Sequence, residues 1–343
     1  MKEIVAHFLS ILKEYQSLGI AEQIDYQKFY LYSIITHSTA IEGSTVTEIE
    51  NQLLFDEGIT AKGRTMQEQM MNLDLKAAYE ESMRLADKHN VITVDVLKSL
   101  SALVIKNTGS TYKTMLGEFS SAKGDLRLLN VTAGYAGRSY LDFHKVPVKL
   151  LEFCEWLNEQ RTRLAPNDIL AAYNLSFDAH FRLVTIHPWA DGNGRMARLL
   201  MNYLQFEHHL IPVKIMKEQK ADYIQALIDT REQDDLNVFR KVMLSLHTAN
   251  LQQEIEQYRK SIAEDGIGDK TTDVTDVTDR QKAILAMVKE NAMLSTAQMA
   301  EKLNVSKRTI LRDIDILKAK GMLLRVGSEK TGHWELTFAW IGS

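Results

Sequence analysis

Twelve consecutive residues, from position 187 to 198 (HPWADGNGRMAR), bring together several side chains that could do chemistry in one site. His187 can accept a proton near neutral pH, and Asp191 offers the hard oxygen ligands that Mg²⁺ prefers. The Gly-Asn-Gly turn at 192–194 lies where a helix begins, and the N–H groups of a helix N-terminus bind anions. Arg195 and Arg198 follow three residues apart, so both guanidinium groups can hold phosphates of one polyphosphate. This spacing predicts a polyphosphate site beside a metal ion and a base.

Two helices must position these side chains. The residues from Leu170 to Ile186 are apolar at helical spacing, and Pro188 predicts that this helix ends near His187, because proline disfavours helical geometry in the residue before it. A second helical pattern of apolar residues begins at Met196. The alternative is a plain helix connection in which Asp191 caps the second helix. That alternative would suffice for a lone Gly-x-Gly turn, but the whole combination favours a functional site.

The twelve residues resemble the signature H-x-F-x-D/E-G-N-G-R-x-x-R of the Fic family at every fixed position except one, where Trp189 replaces phenylalanine. The resemblance covers residues 30–215. It implies a mainly helical core, a flap that docks the target, and transfer of AMP from ATP to a Ser, Thr or Tyr hydroxyl of a protein. The roles that it implies are the base (His187), the Mg²⁺ ligand (Asp191), the phosphate cradle (Gly192, Asn193, Gly194) and the holders of the β- and γ-phosphates (Arg195, Arg198).

Several alternatives to this activity stay open. Family members that transfer phosphate resemble one another in a lysine at the position of Gly194, so the glycine favours AMP. Transfer of UMP or phosphocholine stays open as an alternative, because the nucleotide base is recognised by residues outside the motif. A transcription regulator whose Fic fold only senses nucleotide is the competing class, although an intact His187 favours the enzyme.

The resemblance also places a flap and a brake. The flap is expected near positions 140–144, in a glycine-rich segment from Gly117 to Pro147 whose pattern predicts a hairpin or an extended flap. Positions 38–43 (STAIEG) resemble the inhibitory pattern Ser/Thr-x-x-x-Glu-Gly/Asn. Ser38 and Glu42 are four apart on one helix face, so Ser38 can support Glu42, and Gly43 can close the helix. The resemblance implies that Glu42 takes the place of the γ-phosphate on Arg198. A solvated glutamate before a capping glycine is the alternative, and similar glutamates in the family also serve de-AMPylation.

The C-terminal end predicts a second domain. The polar, acidic and repetitive stretch at 263–279 is typical of a linker, so we expect a catalytic domain over 1–262 and a winged helix-turn-helix over 280–343. In its third helix Ile310, Ile314 and Leu317 should face the core. The side chains left for duplex DNA are Ser306, Lys307, Arg308 and Arg312, and a wing at 327–332 would bring Arg325 and Lys330 near phosphate. Protein docking or formation of a homodimer is the alternative use of such a domain.

Composition fits this division. The residues from Asp279 onward hold 11 Lys+Arg against 7 Asp+Glu, a net charge of +4, and the remainder holds 30 against 38, a net charge of −8. A basic tail on an acidic body suits a nucleic-acid reader. The chain has no signal-like or membrane-spanning apolar run and a single cysteine, so we expect a cytoplasmic protein without membrane contact or disulfide chemistry. The predicted fold is mainly α, a Fic-type helical core with a short β flap, followed by a small α/β winged helix-turn-helix domain.

Overall fold

A computed structural model describes residues 2–23, 25–132, 139–264, 279–303, 305–319, 322–326 and 333–336. The chain divides into two compact units. The first comprises Met1–Glu14 and Gln27–Gln252, and the second comprises Tyr15–Tyr26 and Gln253–Ser343. These two units are defined by which residues pack together. The predicted boundaries of the catalytic domain at residue 262 and of the winged helix-turn-helix at residue 280 stay predictions.

Helices make up most of the chain up to residue 264, as predicted. In chain order they are α1 (Lys2–Ser17), α2 (Tyr26–Ile41), α3 (Glu48–Glu57), α4 (Met66–Asp87), α5 (Val94–Val104), α6 (Val146–Arg163), α7 (Ile169–Ile186), α8 (Asn193–Glu207), α9 (Lys220–Gln233) and α10 (Leu236–Glu264). Among the helices of the described residues, none has the length and apolar character that a bilayer-spanning segment needs.

Side chains set where several of these helices begin. Thr47 and Glu50 form a capping box at the start of α3, and Thr65 and Glu68 form another at the start of α4. In each pair the hydroxyl accepts the backbone N–H of the glutamate, and the glutamate accepts that of the threonine. Asp168 caps α7 by accepting from the N–H of Ala171. Local hydrogen bonds therefore fix the N-termini of the helices that surround the site.

Helix α8 lies in the core of the first unit. It packs against α7 and α4, and its apolar residues Met196, Leu199 and Leu200 are fully buried. The Tyr79 hydroxyl of α4 donates to Asn202 of α8 at 2.7 Å. The motif is thus carried by a helix that is held on several sides, so its N-terminus is a rigid platform.

The segment between α5 and α6 differs from the prediction. An antiparallel hairpin is present, but its first strand β1 (Thr111–Thr114) lies before the predicted region, and its second strand β2 (Gly117–Ser120) lies at the start of that region. The alternating residues 126–131 form no strand, and Arg127 among them is buried and bonded to the carbonyl groups of His187 and Leu141 in other segments. Further along, Thr132 and Ser139 form an isolated antiparallel bridge, and the N–H of Tyr140 donates to Val131 at 3.0 Å. Residues 133–138 between them lie outside the described part of the chain.

The second unit contains the predicted helix-turn-helix. Its elements there are α11 (Asp279–Glu290), α12 (Thr296–Lys302) and α13 (Lys307–Ala319), with β3 (Leu323–Val326) antiparallel to β4 (His333–Leu336). Ile310, Ile314 and Leu317 are at most 1% exposed, which confirms the predicted core face of α13. The predicted wing at 327–332, with Lys330, and most of the predicted linker lie outside the described residues.

Candidate active site

The predicted loop connects α7 and α8 through left-handed backbone at both ends. His187 follows the last residue of α7 with φ 54° and ψ 61°, and its N–H donates to Leu183. Gly192 has φ 80° and precedes α8. A side chain is strained in the left-handed region, so His187 needs support from its surroundings, whereas Gly192 does not.

Trp189 and Asn193 anchor this loop. The Trp189 side chain is fully buried, and its Nε1–H donates to the Gly124 carbonyl at 3.1 Å. The Asn193 side chain brackets the Trp189 backbone, accepting its N–H at 3.1 Å and donating to its carbonyl at 2.8 Å. Trp189 therefore ties the loop to the segment that contains Gly124. The amide of Asn193 is committed to the loop, so only its backbone N–H remains for a phosphate.

The environment of His187 keeps its imidazole neutral. Burial lowers the pKa of His187 to about 4; the Val184 carbonyl opposes this, and the charges of Arg127 and Arg231 add to it. Nδ1 lies 3.3 Å from that carbonyl, and this contact favours the tautomer with the proton on Nδ1. Nε2 is then the nitrogen that can accept a proton.

Tyr140 covers one face of this imidazole. The two rings are stacked with centroids 3.7 Å apart and an interplanar angle of 17°. The guanidinium carbon of Arg231 lies 5.4 Å from the centroid of the Tyr140 ring. A residue of the flap segment therefore contacts the predicted base directly.

Two buried arginines lie behind the N-terminus of α8. Arg195 and Arg198 are each 3% exposed. Among the described residues, Nε and Nη1 of Arg195 find no hydrogen-bond partner, and its Nη2 is 3.6 Å from Asp191 Oδ1. No side chain of the described residues caps α8 either. Buried donors without acceptors are costly, so this geometry suits an anion that brings its own oxygens.

Asp191 is positioned to share a cation with such an anion. Its side chain is 52% exposed, and Oδ1 accepts the N–H of Gly192 at 2.6 Å. No group of three or more His, Cys, Asp and Glu side chains in the described ranges could hold a metal by itself. Mg²⁺ is commonly bound by one or two carboxylates together with substrate phosphates. The residues present fit that mode, with Asp191 as the protein ligand.

Glu42 reaches this site from α2. Its Oε1 accepts from Nη2 of Arg198 at 2.6 Å, and a Cβ atom added to Gly194 would lie 2.8 Å from the same oxygen. Burial would raise the pKa of Glu42, but Arg198, with Arg195 and Lys220, holds it below the ordinary value. A carboxylate ion therefore lies against the start of α8, where the geometry suits a phosphate.

Ser38 contacts Arg198, the residue that binds Glu42, so any support of Glu42 by Ser38 is indirect here and stays a prediction. Its hydroxyl accepts from Nε of Arg198 at 2.8 Å, and its carbonyl accepts from Nη2 at 3.0 Å. Glu42 is the first residue after α2, and Gly43 follows with φ 105°. The N–H of Gly43 donates to Ala40, so the glycine does close the helix end.

A cluster of buried polar side chains, the α2-end cluster, fixes the end of α2. Asn72 of α4 accepts from Thr39 at 2.8 Å and from Asn51 of α3 at 2.9 Å. Asn51 also donates to Thr36 at 2.7 Å. Three helices thus meet through hydrogen bonds just before Glu42.

Three residues near the site lie outside the sequence motif. Arg127 donates to the His187 carbonyl at 2.8 Å. The Tyr223 hydroxyl lies 2.9 Å from His180 Nε2, and both are buried near Arg198. Short-range spacing did not indicate them, because each depends on a segment far away in the chain. Arg127 carried one weak signal, a charge inside an otherwise apolar run (LRLL).

The predicted DNA-contacting residues occupy different environments. Ser306 is exposed and its hydroxyl accepts the N–H of Thr309, so it caps α13. Lys307 is exposed at the start of the same helix. Arg312 is half-buried; burial raises the pKa of Tyr258 in α10, and the charge of Arg312 opposes this. The Arg308 side chain lies outside the described part. Arg325 stacks on Trp334 at 4.5 Å.

Comparison with known proteins agrees with this geometry. Residues 91–205 match the family model of the Fic/DOC family, and residues 280–333 match that of an HTH domain. The chain therefore carries a Fic domain followed by a helix-turn-helix domain.

Relatives and solved structures give the same fold. The chain is 25% identical to protein adenylyltransferase fic-1 of Caenorhabditis elegans over 75% of its own length and 48% of the relative's. It is 29% identical to protein adenylyltransferase Fic of Drosophila willistoni over 58% and 37%. The chain thus spans less than half the length of these relatives. A structure of Fic-1 from C. elegans matches with a TM-score of 0.60 at 23% identity, over 76% of this chain and 73% of that one. A Fic family protein from Desulfovibrio desulfuricans G20 matches with 0.59 at 18% identity, over 98% and 95%.

Proposed function

We propose that this protein transfers AMP from ATP to a Ser, Thr or Tyr hydroxyl of a target protein. The observation that carries the proposal is the buried Arg195 guanidinium, whose Nε–H and Nη1–H lack acceptors among the described residues beside the uncapped start of α8. The relatives that share the Fic domain are named protein adenylyltransferases, which supports the same activity.

Each group of the site has its own role in the proposed reaction. Nε2 of His187 accepts the proton of the target hydroxyl as its oxygen attacks the α-phosphorus of ATP. A new P–O bond joins AMP to the target, the bond to the β-phosphate oxygen breaks, and pyrophosphate leaves. The backbone N–H groups of residues 192–194 and the two arginines, Arg195 and Arg198, hold the phosphate oxygens. Mg²⁺, held by Asp191 and the phosphates, supplies neutralising charge when bound.

Glu42 is an intramolecular brake in this proposal. Its carboxylate is bonded to Arg198 and lies against Gly194, so ATP must displace it before the γ-phosphate can reach Arg198. A carboxylate whose pKa is held low stays charged at neutral pH and competes with phosphate for the same donors. Removal of the carboxylate therefore favours the productive position of the triphosphate.

Labelled ATP tests the proposal. The full-length protein and its Glu42→Gly variant are incubated with Mg²⁺ and with ATP labelled either at the α- or at the γ-phosphate, and label on protein is measured. Label from the α position alone is expected. Label from the γ position would indicate phosphate transfer, and binding of ATP without any label on protein would support a nucleotide sensor.

The HTH domain favours a second function, binding of duplex DNA. The match of residues 280–333 to an HTH family and the exposed Lys307 at the start of α13 support it. Full-length protein should bind duplex DNA with an affinity that falls as salt rises, because phosphate contacts release counterions. Lys307→Ala and Arg308→Ala should weaken binding, whereas Lys289→Ala on α11 serves as a charge-matched control. Absence of binding at low salt would assign the domain to protein docking or dimerisation.

A further inference from the structure

Arg127 lies between the catalytic loop and the flap segment. Its side chain is 1% exposed. Nε donates to the His187 carbonyl at 2.8 Å, Nη1 donates to Leu129 at 2.8 Å, and Nη2 donates to Leu141. The backbone N–H of Arg127 also donates to the carbonyl of Pro188 at 3.0 Å. A single residue thus binds two consecutive carbonyls of the catalytic loop and both sides of the flap segment.

A buried guanidinium in this setting needs an explanation. Burial lowers the pKa of Arg127, and the half-buried Asp142 opposes that only through its charge. In the described ranges no carboxylate forms an ion pair with Arg127, and its acceptors are backbone carbonyls. An apolar side chain of similar size would avoid the desolvation cost. What an apolar side chain could not do is join separate segments through a rigid fork of donors.

The catalytic loop and the flap segment, which Arg127 joins, both determine the surroundings of His187. Its left-handed backbone is unfavourable for a residue with a side chain, and Arg127 holds the carbonyl groups of His187 and of the next residue. On the flap side, Leu141 follows Tyr140, whose ring stacks on the imidazole. Loss of Arg127 would free both the backbone of the base and the ring that covers it.

We propose that Arg127 is a positioning residue that couples the flap to the catalytic histidine. The inference rests on the proposed function, since it assigns His187 as the base. Under this coupling, the orientation of the base and the position of the segment that presents the target change together. Arg127 itself touches neither substrate nor the transferred group.

Variants of the full-length protein test this coupling. Arg127→Lys keeps a positive charge but has a single ammonium that cannot reach all three segments, and Arg127→Met removes the donors. The control is Arg161→Lys, because Arg161 is another arginine with little exposure, its side chain being 10% exposed, and it is bonded to Glu207 and Asn90 in a different part of the unit. We expect kcat for AMP transfer to fall about 10- to 10²-fold in both Arg127 variants, with the KM for ATP nearly unchanged. Arg161→Lys should lower the melting temperature without this loss in kcat.

A spectroscopic readout separates this inference from the proposed function. The imidazole resonances of His187 are followed by NMR in protein labelled at histidine, with His187→Gln for assignment. Both Arg127 variants should shift these resonances and raise the pKa of His187 from about 4, because a neighbouring positive charge is lost or displaced. Folded Arg127 variants with an unchanged His187 spectrum would overturn the inference, even if the parent transfers no AMP. An Arg127→Met variant that does not fold leaves Arg127→Lys to decide.

Discussion

At the scale of single residues, the neutral imidazole of His187 leads to the first prediction. His187→Ala should lower AMP incorporation about 10²- to 10⁴-fold while ATP binding stays close to that of the parent, because the base acts on the target hydroxyl and not on the phosphates. Arg195→Ala should instead weaken ATP binding and lower AMP incorporation with it, since it removes buried donors at the start of α8. Calorimetric ATP binding and label incorporation distinguish the two. Transfer at the parent rate by His187→Ala would show that another group is the base.

The contact between Glu42 and Arg198 gives the second prediction. Glu42→Gly should raise AMP incorporation about 10- to 10²-fold, because ATP no longer has to displace a charge-assisted hydrogen bond. The gain should appear mainly in turnover, and the melting temperature should not fall with it. Glu42→Gln keeps the size of the side chain and should give a smaller gain.

The double variant Glu42→Gly with Arg198→Ala is the control for this mechanism. It should lose the gain, since Arg198 would hold the γ-phosphate. Equal rates for the parent and Glu42→Gly would leave Glu42 as an ordinary surface residue.

Residue types and short spacings predicted much of this site, and the structure brings His187, Asp191, Arg195, Arg198 and Glu42 together as expected. What the sequence did not indicate is the orientation of two side chains, while the predicted roles of these residues stay predictions. The Asn193 amide turns to the Trp189 backbone, and Ser38 bonds Arg198. Arg127 could not be predicted as a partner of His187, because the two are 60 positions apart and meet through a backbone carbonyl.

At the scale of elements, the turn after β2 leads to the third prediction. Gly124 has φ 72°, and a Cβ added there would lie 2.0 Å from the Lys98 carbonyl oxygen of α5. Gly58, at the end of α3, has φ 69° with open space around it, so it is a matched control. Gly58→Ala should lower the free energy of unfolding by about 1–2 kcal/mol through backbone strain alone. Gly124→Ala should lower it by about 1–3 kcal/mol more, because the overlap must be relieved by moving packed backbone.

Denaturant unfolding of the two variants checks this. Tryptophan fluorescence gives a second readout. Because the Gly124 carbonyl accepts a hydrogen bond from the Trp189 indole, the emission of Trp189 should also change in Gly124→Ala. Equal losses in the two variants would mean that α5 moves away at no cost.

Elements with local signals were predicted better than elements made by distant contacts. The helix before His187 and the core face of α13 follow from apolar spacing, and the structure agrees. The predicted position of the flap covered too long a segment. The alternating residues 126–131 have a strand-like sequence pattern but form no strand. Among them Arg127 is buried, and it bonds the carbonyl groups of the catalytic loop.

At the scale of the whole molecule, buried histidines lead to the fourth prediction, a loss of stability in weak acid. Burial lowers the pKa of His180 and His247 to about 3 and that of His187 to about 4. In the unfolded chain these groups take up protons near pH 6.5, so the unfolded state is favoured as pH falls from about 6.5 towards 4. Each histidine contributes up to about 1.4 kcal/mol per pH unit in that window.

The free energy of unfolding in urea, measured between pH 7 and pH 5, checks this slope. His247→Gln removes one of the three groups and should make the dependence on pH shallower. Carboxylates with lowered pKa values, such as Glu48 and Glu68 at about 2, contribute mainly below this window. A slope that His247→Gln does not change would assign the acid sensitivity to other groups.

Because of the α2-end cluster, inhibition by Glu42 under the proposed function should not depend on the concentration of the protein. Because hydrogen bonds among Thr36, Thr39, Asn51 and Asn72 hold the chain just before Glu42, the carboxylate meets Arg198 at an effective concentration set by chain geometry. Neither dilution of the protein nor a change in its abundance alters that concentration, in contrast to an inhibitor supplied by a separate chain. ATP faces the same competitor in every molecule. Relief under the proposed function therefore requires an event that moves the end of α2, such as a partner that binds there.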